Sequence, residues 1–353
     1  MTKIIEYKCP ACGGALAFDS HSQKLKCPYC DSEYDVETFD PNQMSHSAIS
    51  HSQTEEADPL VKAYVCQSCA GEILTDINTG ATICPYCGNK VIVPSQFEGK
   101  FEPEFIVPFQ FDRRQAKDAY REHMEHLDFI PDIFKADARF DEITGLYVPF
   151  WVFDVTTEGA AKYNAVMTRS YISGDFNVQE TRHFVVNRHG KFEFNKIPAD
   201  ASRKMNDQLM DSLEPISFFK VKQFERGYMA GYYASRYDVS EEECRMRIQD
   251  RINSTTKAAL DATVTGYSSY SSTGYQINIL DTKGHYALYP VWILNVKWNN
   301  DIYTFAMNGE TGKLVGSFPF DQKAFNRYVL IHGPLFALFI FGLMMIFMTF
   351  MGG

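Results

Sequence analysis

At 353 residues, 45% hydrophobic and 14% aromatic, the chain has the apolar content for two or three packed domains, which excludes a disordered polymer. Its 44 acidic against 34 basic side chains leave it at −10, with a pI near 5.4. No basic excess is available to neutralise a phosphate backbone, so duplex nucleic acid is not the expected partner.

The first predicted element is a small β zinc ribbon over residues 5–39. Cys9, Cys12, Cys27 and Cys30 form two Cys-x2-Cys turns with fourteen residues between them. Each turn aims two thiolates at one point, and two turns complete the tetrahedral sulfur shell that zinc takes. Residues 40–60, rich in Ser, Gln, His and acid, read as a flexible linker in which His46 and His51 are solvated side chains, not ligands. A second frame of the same spacing, Cys66, Cys69, Cys84 and Cys87, marks a second β ribbon over residues 61–96. The duplication predicts two metal ions, zinc in each shell. A disulfide framework would need an oxidising compartment, and the residues before Cys9 hold no apolar run that would serve as a secretory signal. Rubredoxin-like iron is the other occupant that four thiolates admit.

An α+β domain is expected over residues 101–325. Its internal echo is Tyr147-Val148-Pro149-Phe150-Trp151 against Tyr289-Pro290-Val291-Trp292, a Trp two residues after a Pro in an apolar run, which predicts two strands and two related halves. Asp112 with Gln115 predicts a capped helix start, followed by Ala119, His123 and Leu127 at four-residue spacing. Ser240 with Glu243 predicts another, carrying Cys244, Ile248, Ile252 and Ala259 on one face. Residues 302–306 and 313–318, around Asn308-Gly309-Glu310-Thr311-Gly312, predict a hairpin.

Residues 328–351 predict one transmembrane helix. From 329 to 351 there is no Asp, Glu, Lys or Arg, and the span would rise about 34 Å against about 30 Å of hydrocarbon. Lys313, Lys323 and Arg327 precede it, so the positive-inside rule predicts a single-pass cell-membrane protein with its N-terminal bulk in the cytoplasm.

No catalytic constellation stands out: there is no phosphate-cradling loop, no Gly-x-Ser-x-Gly elbow and no His-Glu-x-x-His. His123 and His126 are the nearest to a metal-binding helix face, but His123 reads as a packing residue. Cys244 reads as an inert core thiol, and His183 and His189 sit in a strand-like stretch without distinctive spacing. Tyr29, Tyr86 and Phe18 offer rings for single-strand stacking, but small ribbons normally use such residues for their own cores.

These ribbons, the segment Ile106-Val107-Pro108-Phe109, the block Gly231-Tyr232-Tyr233-Ala234-Ser235-Arg236-Tyr237-Asp238-Val239-Ser240 and the apolar tail carry a resemblance. The chain resembles bacterial tandem zinc-ribbon membrane proteins of the transcription-factor-B-type zinc-ribbon class. That resemblance implies a place beside phage-shock-protein-A-like coiled-coil or flotillin-like proteins in membrane-stress modules. A helicase label also attached to such proteins has no nucleotide-binding loop here to support it. The expected role is a non-enzymatic, membrane-anchored adaptor for a cytoplasmic protein. The alternatives are a nucleic-acid tether for transcription or replication machinery, and a zinc or redox sensor.

Overall fold

A computed structural model describes residues 4–40, 61–66, 68–136, 142–216 and 219–351. Residues 41–60 of the expected linker, with His46 and His51, lie outside the described residues.

The first ribbon is a three-stranded antiparallel sheet of β1 (Ala17–Asp19), β2 (Lys24–Lys26) and β3 (Glu33–Tyr34). The second has two hairpins, β4 (Val61–Val65) with β5 (Glu72–Asp76) and β6 (Thr79–Ile83) with β7 (Lys90–Ile92). The body follows: β8 (Phe105–Ile106), α1 (Arg113–Glu125), β9 (Thr144–Ser173), β10 (Phe176–Asp200), α2 (Asp207–Ser212), β11 (Lys222–Gln223), β12 (Tyr233–Ser235), α3 (Glu241–Ala262), β13 (Ser269–Trp298), β14 (Asp301–Asn308) and β15 (Leu314–Gly316). The last helix, α4, runs Gln322–Met351.

The two echoing segments lie side by side. β9 and β13 are antiparallel, with Val148 opposite Tyr289 and Tyr147 opposite Pro290. About that point the neighbours repeat. β12 runs parallel to β9 at Leu146 and Tyr147, and β8 runs parallel to β13 at Ala287 and Leu288. β10 leaves β9 at the Asp200–Phe150 pair, and β14 leaves β13 at Asn308–Val291. Each echoing proline sits where one neighbour ends and the other begins, so its missing N–H costs no ladder bond. The carbonyls there accept from loops instead: Pro149 from Ala201 N at 2.9 Å and Pro290 from Gly309 N at 2.8 Å.

The paired tryptophans do the same work. Trp151 Nε1 donates to Val239 O at 3.2 Å, and Trp292 Nε1 donates to Phe111 O at 3.1 Å. Each acceptor precedes a helix N-cap, Ser240 for α3 and Asp112 for α1. The α1 box is complete, Asp112 Oδ1 accepting from Gln115 N at 2.7 Å and Asp112 N donating to Gln115 Oε1 at 2.8 Å. In the α3 start Ser240 Oγ accepts from Glu243 N at 3.2 Å and donates to the Glu243 carboxylate.

One helical face is rotated from expectation, and the other holds except at its last residue. On α1 the buried stripe is Ala116, Tyr120 and Met124, so His123 is exposed and only approaches the Phe318 ring. On α3 it is Cys244, Ile248, Ile252, Thr256 and Leu260, with Ala259 half-buried beside it. The stripe packs against β9 and β10.

Alternation along β9 and β13 feeds two cores. One face gives Tyr147, Tyr286, Leu288 and Trp292 to a cluster that also contains Tyr7, Leu16, Phe18, Leu25 and Val36 of the first ribbon. The other face gives Val148, Phe150, Tyr289 and Val291 to a cluster under α2. The second ribbon joins by backbone: β6 pairs with β12, extending the large sheet. Both ribbons are thus built into the body. The predicted hairpin is β14–β15, paired from Met307–Leu314 to Phe305–Gly316. In α4, Gln322–Met344 has mean hydropathy 1.6 with none of its length buried, so it is long and apolar enough to cross a membrane.

Candidate metal centres

All four Cys-x2-Cys turns share one backbone design. In each, the first cysteine's carbonyl accepts from the residue four positions on: Cys9 from Gly13 N, Cys27 from Asp31 N, Cys66 from Ala70 N and Cys84 from Gly88 N, at 2.8–3.0 Å. Those four residues have left-handed φ of +74°, +56°, +57° and +71°. The turn swings the second cysteine back beside the first. In every pair the first thiol is buried and the second exposed.

The eight expected ligands come together as two groups, Cys9, Cys12, Cys27 and Cys30, and Cys66, Cys69, Cys84 and Cys87, with all sulfurs of a group within 4.8 Å of one another. Across the first, Cys9–Cys30 is 3.5 Å and Cys12–Cys27 is 3.4 Å; across the second, Cys66–Cys87 is 3.7 Å and Cys69–Cys84 is 3.8 Å. A tetrahedron with metal–sulfur bonds of about 2.3 Å has edges of about 3.8 Å, so both shells fit one zinc ion each. A disulfide needs sulfurs at about 2.05 Å, and all nine cysteines are free thiols.

The thiols are not equivalent. Burial opposes ionisation of Cys9, but the Tyr34 hydroxyl and the Cys12 and Ala11 amides outweigh it and bring the thiol down to about 6. Cys84 comes down to about 7 in the same way, through the Cys87 and Tyr86 amides. At Cys66 burial wins over the Cys69 and Ser68 amides and pushes the thiol up to about 12. In each shell one buried thiol, Cys9 or Cys84, ionises more readily than an ordinary cysteine, as a metal ligand must.

Several supporting residues were not legible beforehand. Tyr34 Oη lies 3.5 Å from Cys9 Sγ and Ser32 Oγ lies 3.3 Å from Cys30 Sγ. Glu6, from the segment that leads into the first ribbon, stands against the second: its Oε1 is 3.8 Å from Cys66 Sγ and its Oε2 accepts from Ser68 Oγ at 2.7 Å. Nothing in the spacing signals these, because each acts through a pairing the fold creates.

Phe18 is buried as expected, but Tyr29 and Tyr86 correct the expectation that they fill ribbon cores, with 76% and 70% of their surface exposed. Each ring lies over a glycine of the opposite turn, Gly14 and Gly71, where a Cβ would come within 2.4 and 2.6 Å of the ring.

Away from the cysteines, Cys244 is buried, donates to Asp200 O at 3.4 Å, and is pushed up to about 12 by burial. His189 pairs with Glu158 at 3.0 Å on the surface of the long hairpin, and His183 is exposed. Among the described residues, the two cysteine groups are the clusters of His, Cys, Asp and Glu placed to hold a metal ion.

No family model matches the chain, and no solved structure matches it. Over 344 residues the chain is 33% identical to the "Uncharacterized protein YdjG" of Bacillus subtilis (strain 168), an alignment spanning 97% of this chain and 98% of that one. With tandem four-cysteine centres, a sheet-rich body and an apolar last helix on the page, that full-length similarity places the chain in the family of YdjG.

Proposed function

We propose that this protein is a non-enzymatic adaptor, anchored in the cell membrane by α4, that holds a cytoplasmic protein partner through its second zinc ribbon. One observation carries the reading. The outer face of the β4–β5 hairpin exposes Ala63, Val65 and Leu74 beside one acid, Glu72, with the Tyr86 ring over Gly71 at the turn, Leu74 at 69% and Tyr86 at 70%. The first ribbon, by contrast, gives its strands to the central core. An apolar face on a metal-rigidified hairpin suits a protein partner better than a phosphate backbone. Lys323 and Arg327 at the start of α4 favour a cytoplasmic location for the body. The resemblance to membrane-stress proteins supports a phage-shock-protein-A-like or flotillin-like partner.

The test is an affinity pull-down of the full chain from crosslinked, detergent-solubilised membranes, with and without Leu74→Ser and Tyr86→Ala together. Loss of a membrane-remodelling partner at unchanged zinc content supports the adaptor. Unchanged recovery by the double variant, or recovery of polymerase or replication proteins in place of such a partner, overturns it.

Exposed Tyr29 and Tyr86 also supply what the nucleic-acid reading needs, two preset rings for stacking single strands. Binding of an oligonucleotide that weakens steeply with salt and is lost in Tyr29→Ala would favour that reading.

A further inference from the structure

Residues 4–9 belong to both ribbons at once. Ile4 is 4% exposed and packs in the core of the second ribbon with Tyr64, Cys66, Ile73 and Cys84. Ile5 exchanges both backbone hydrogen bonds with Ile92 of β7, at 2.8 and 3.0 Å. Glu6 turns a side chain only 2% exposed onto Ser68, which lies between the ligands Cys66 and Cys69, and Asn89 Nδ2 donates to the same Ser68 hydroxyl at 2.8 Å. The chain then crosses to the first ribbon. Tyr7 O accepts from Leu16 N at 2.7 Å, Lys8 bridges Ala15, and Cys9 is a ligand. Lys8 Nζ reaches back to Glu6 at 3.3 Å, neutralising a carboxylate that would otherwise stand uncompensated beside the thiolates. Tyr7 and Leu16 of one ribbon, Thr82 and Val91 of the other, and Met229 to Tyr232 of the body enclose a cavity of only about 10 Å³.

We infer that the two metal centres form one cooperative two-ion unit, joined by the strap of residues 4–8. A small ribbon is ordered by its metal. When the first centre empties, the ladder that holds Tyr7 and Lys8 goes with it, and the second ribbon loses Ile4 from its core, Ile5 from its sheet edge and Glu6 from Ser68. The coupling runs equally in the other direction, as linkage requires. This inference stands apart from the adaptor reading, since it concerns metal alone.

The experiment uses the full chain in detergent, loaded with two zinc ions, challenged with a chelator and an isotope-coded alkylating reagent. Mass spectrometry then reads each cysteine separately. Cys12→Ser opens the first centre; alkylation of Cys69 and Cys87 in the second should accelerate about tenfold or more, the scale on which groups around the ligands affect metal sites. Ile4→Ala with Glu6→Ala cuts the strap and keeps all eight cysteines; because both residues lie against Cys66, the strap variant's own rate is the reference. In that background, Cys12→Ser should no longer change the rate at Cys69 and Cys87, a non-additivity that simple destabilisation would not produce. The inference is overturned if Cys12→Ser leaves Cys69 and Cys87 protected as in the parent, or if its effect persists undiminished in the strap variant.

Discussion

Gly13, Asp31, Ala70 and Gly88 hold the same left-handed position in four successive turns, yet only two are glycines. A Cβ there costs about 1–2 kcal/mol, and glycine gives back about 0.5–1 kcal/mol through the extra freedom of the unfolded chain. Gly88 has no atom within 4 Å of where a Cβ would stand, so replacement meets backbone strain and nothing else. Gly88→Ala should therefore lower stability by about 1 kcal/mol, and Ala70→Gly should raise it by about 0.5 kcal/mol. Denaturant titrations at one fixed free zinc concentration would read both; shifts of the same sign would mean that ligand geometry, not φ, governs these turns. Reactivity follows the same local logic. Cys244, buried and raised to about 12, should resist iodoacetamide in the native protein even after a chelator has exposed the other eight thiols. Labelling of Cys244 under native conditions, read by peptide mass spectrometry, would show that α3 opens.

At the scale of elements, the long strands decide the architecture. β9 and β13 each run thirty residues, about 100 Å of contour, and β10 adds twenty-five. α3 is what clamps this ribbon to the body. Ile248 and Ile252 pack against Phe153, Val155 and Ala199, and Leu260 packs against Ala161, Tyr163 and Val186. Ile252→Ala should cost about 2–4 kcal/mol by leaving a cavity that a flat sheet cannot close. Hydrogen exchange should show the loss spreading along β9 and β10; a loss confined to α3 would make the helix a passenger. The start of β9 and the end of β13 were readable from Pro-x-Trp and its apolar run, and both caps from their residue pairs. The extent was not. Beyond Val155 one face is covered by α3 and then by nothing, so the apolar signal fades while the backbone ladder continues. Gly159 and Gly190 face each other in that ladder, and Gly159 makes room for Thr256. Both four-cysteine groups were legible because a Cys-x2-Cys pair needs no tertiary context to converge. Glu6 and Tyr34 needed the fold.

For the whole molecule, the consequence of building ribbons into the body is that metal and body stability become one quantity. The first ribbon gives Tyr7, Leu16, Phe18, Leu25 and Val36 to the same core as Tyr147 and Trp292, and the second adds β6 to the large sheet beside β12. Ribbons strung as separate beads would melt on chelation and leave the rest untouched. Here, removing zinc withdraws one wall of the core and one margin of the sheet. Tryptophan reports this cleanly, since Trp151, Trp292 and Trp298 all lie on β9 and β13 and none lies in a ribbon. Thermal unfolding followed by tryptophan emission should move to lower temperature when a chelator is present, and return when zinc is restored in excess. Losing two buried aromatic contacts of the Phe18–Tyr228 kind would cost about 1–3 kcal/mol, and for a domain of this size about 1 kcal/mol moves the midpoint by 2–4 °C. A midpoint that stays put with both ions removed would mean that the ribbons keep their shape without metal, and the four-cysteine shells would then have to be read as binding sites laid on an already stable fold.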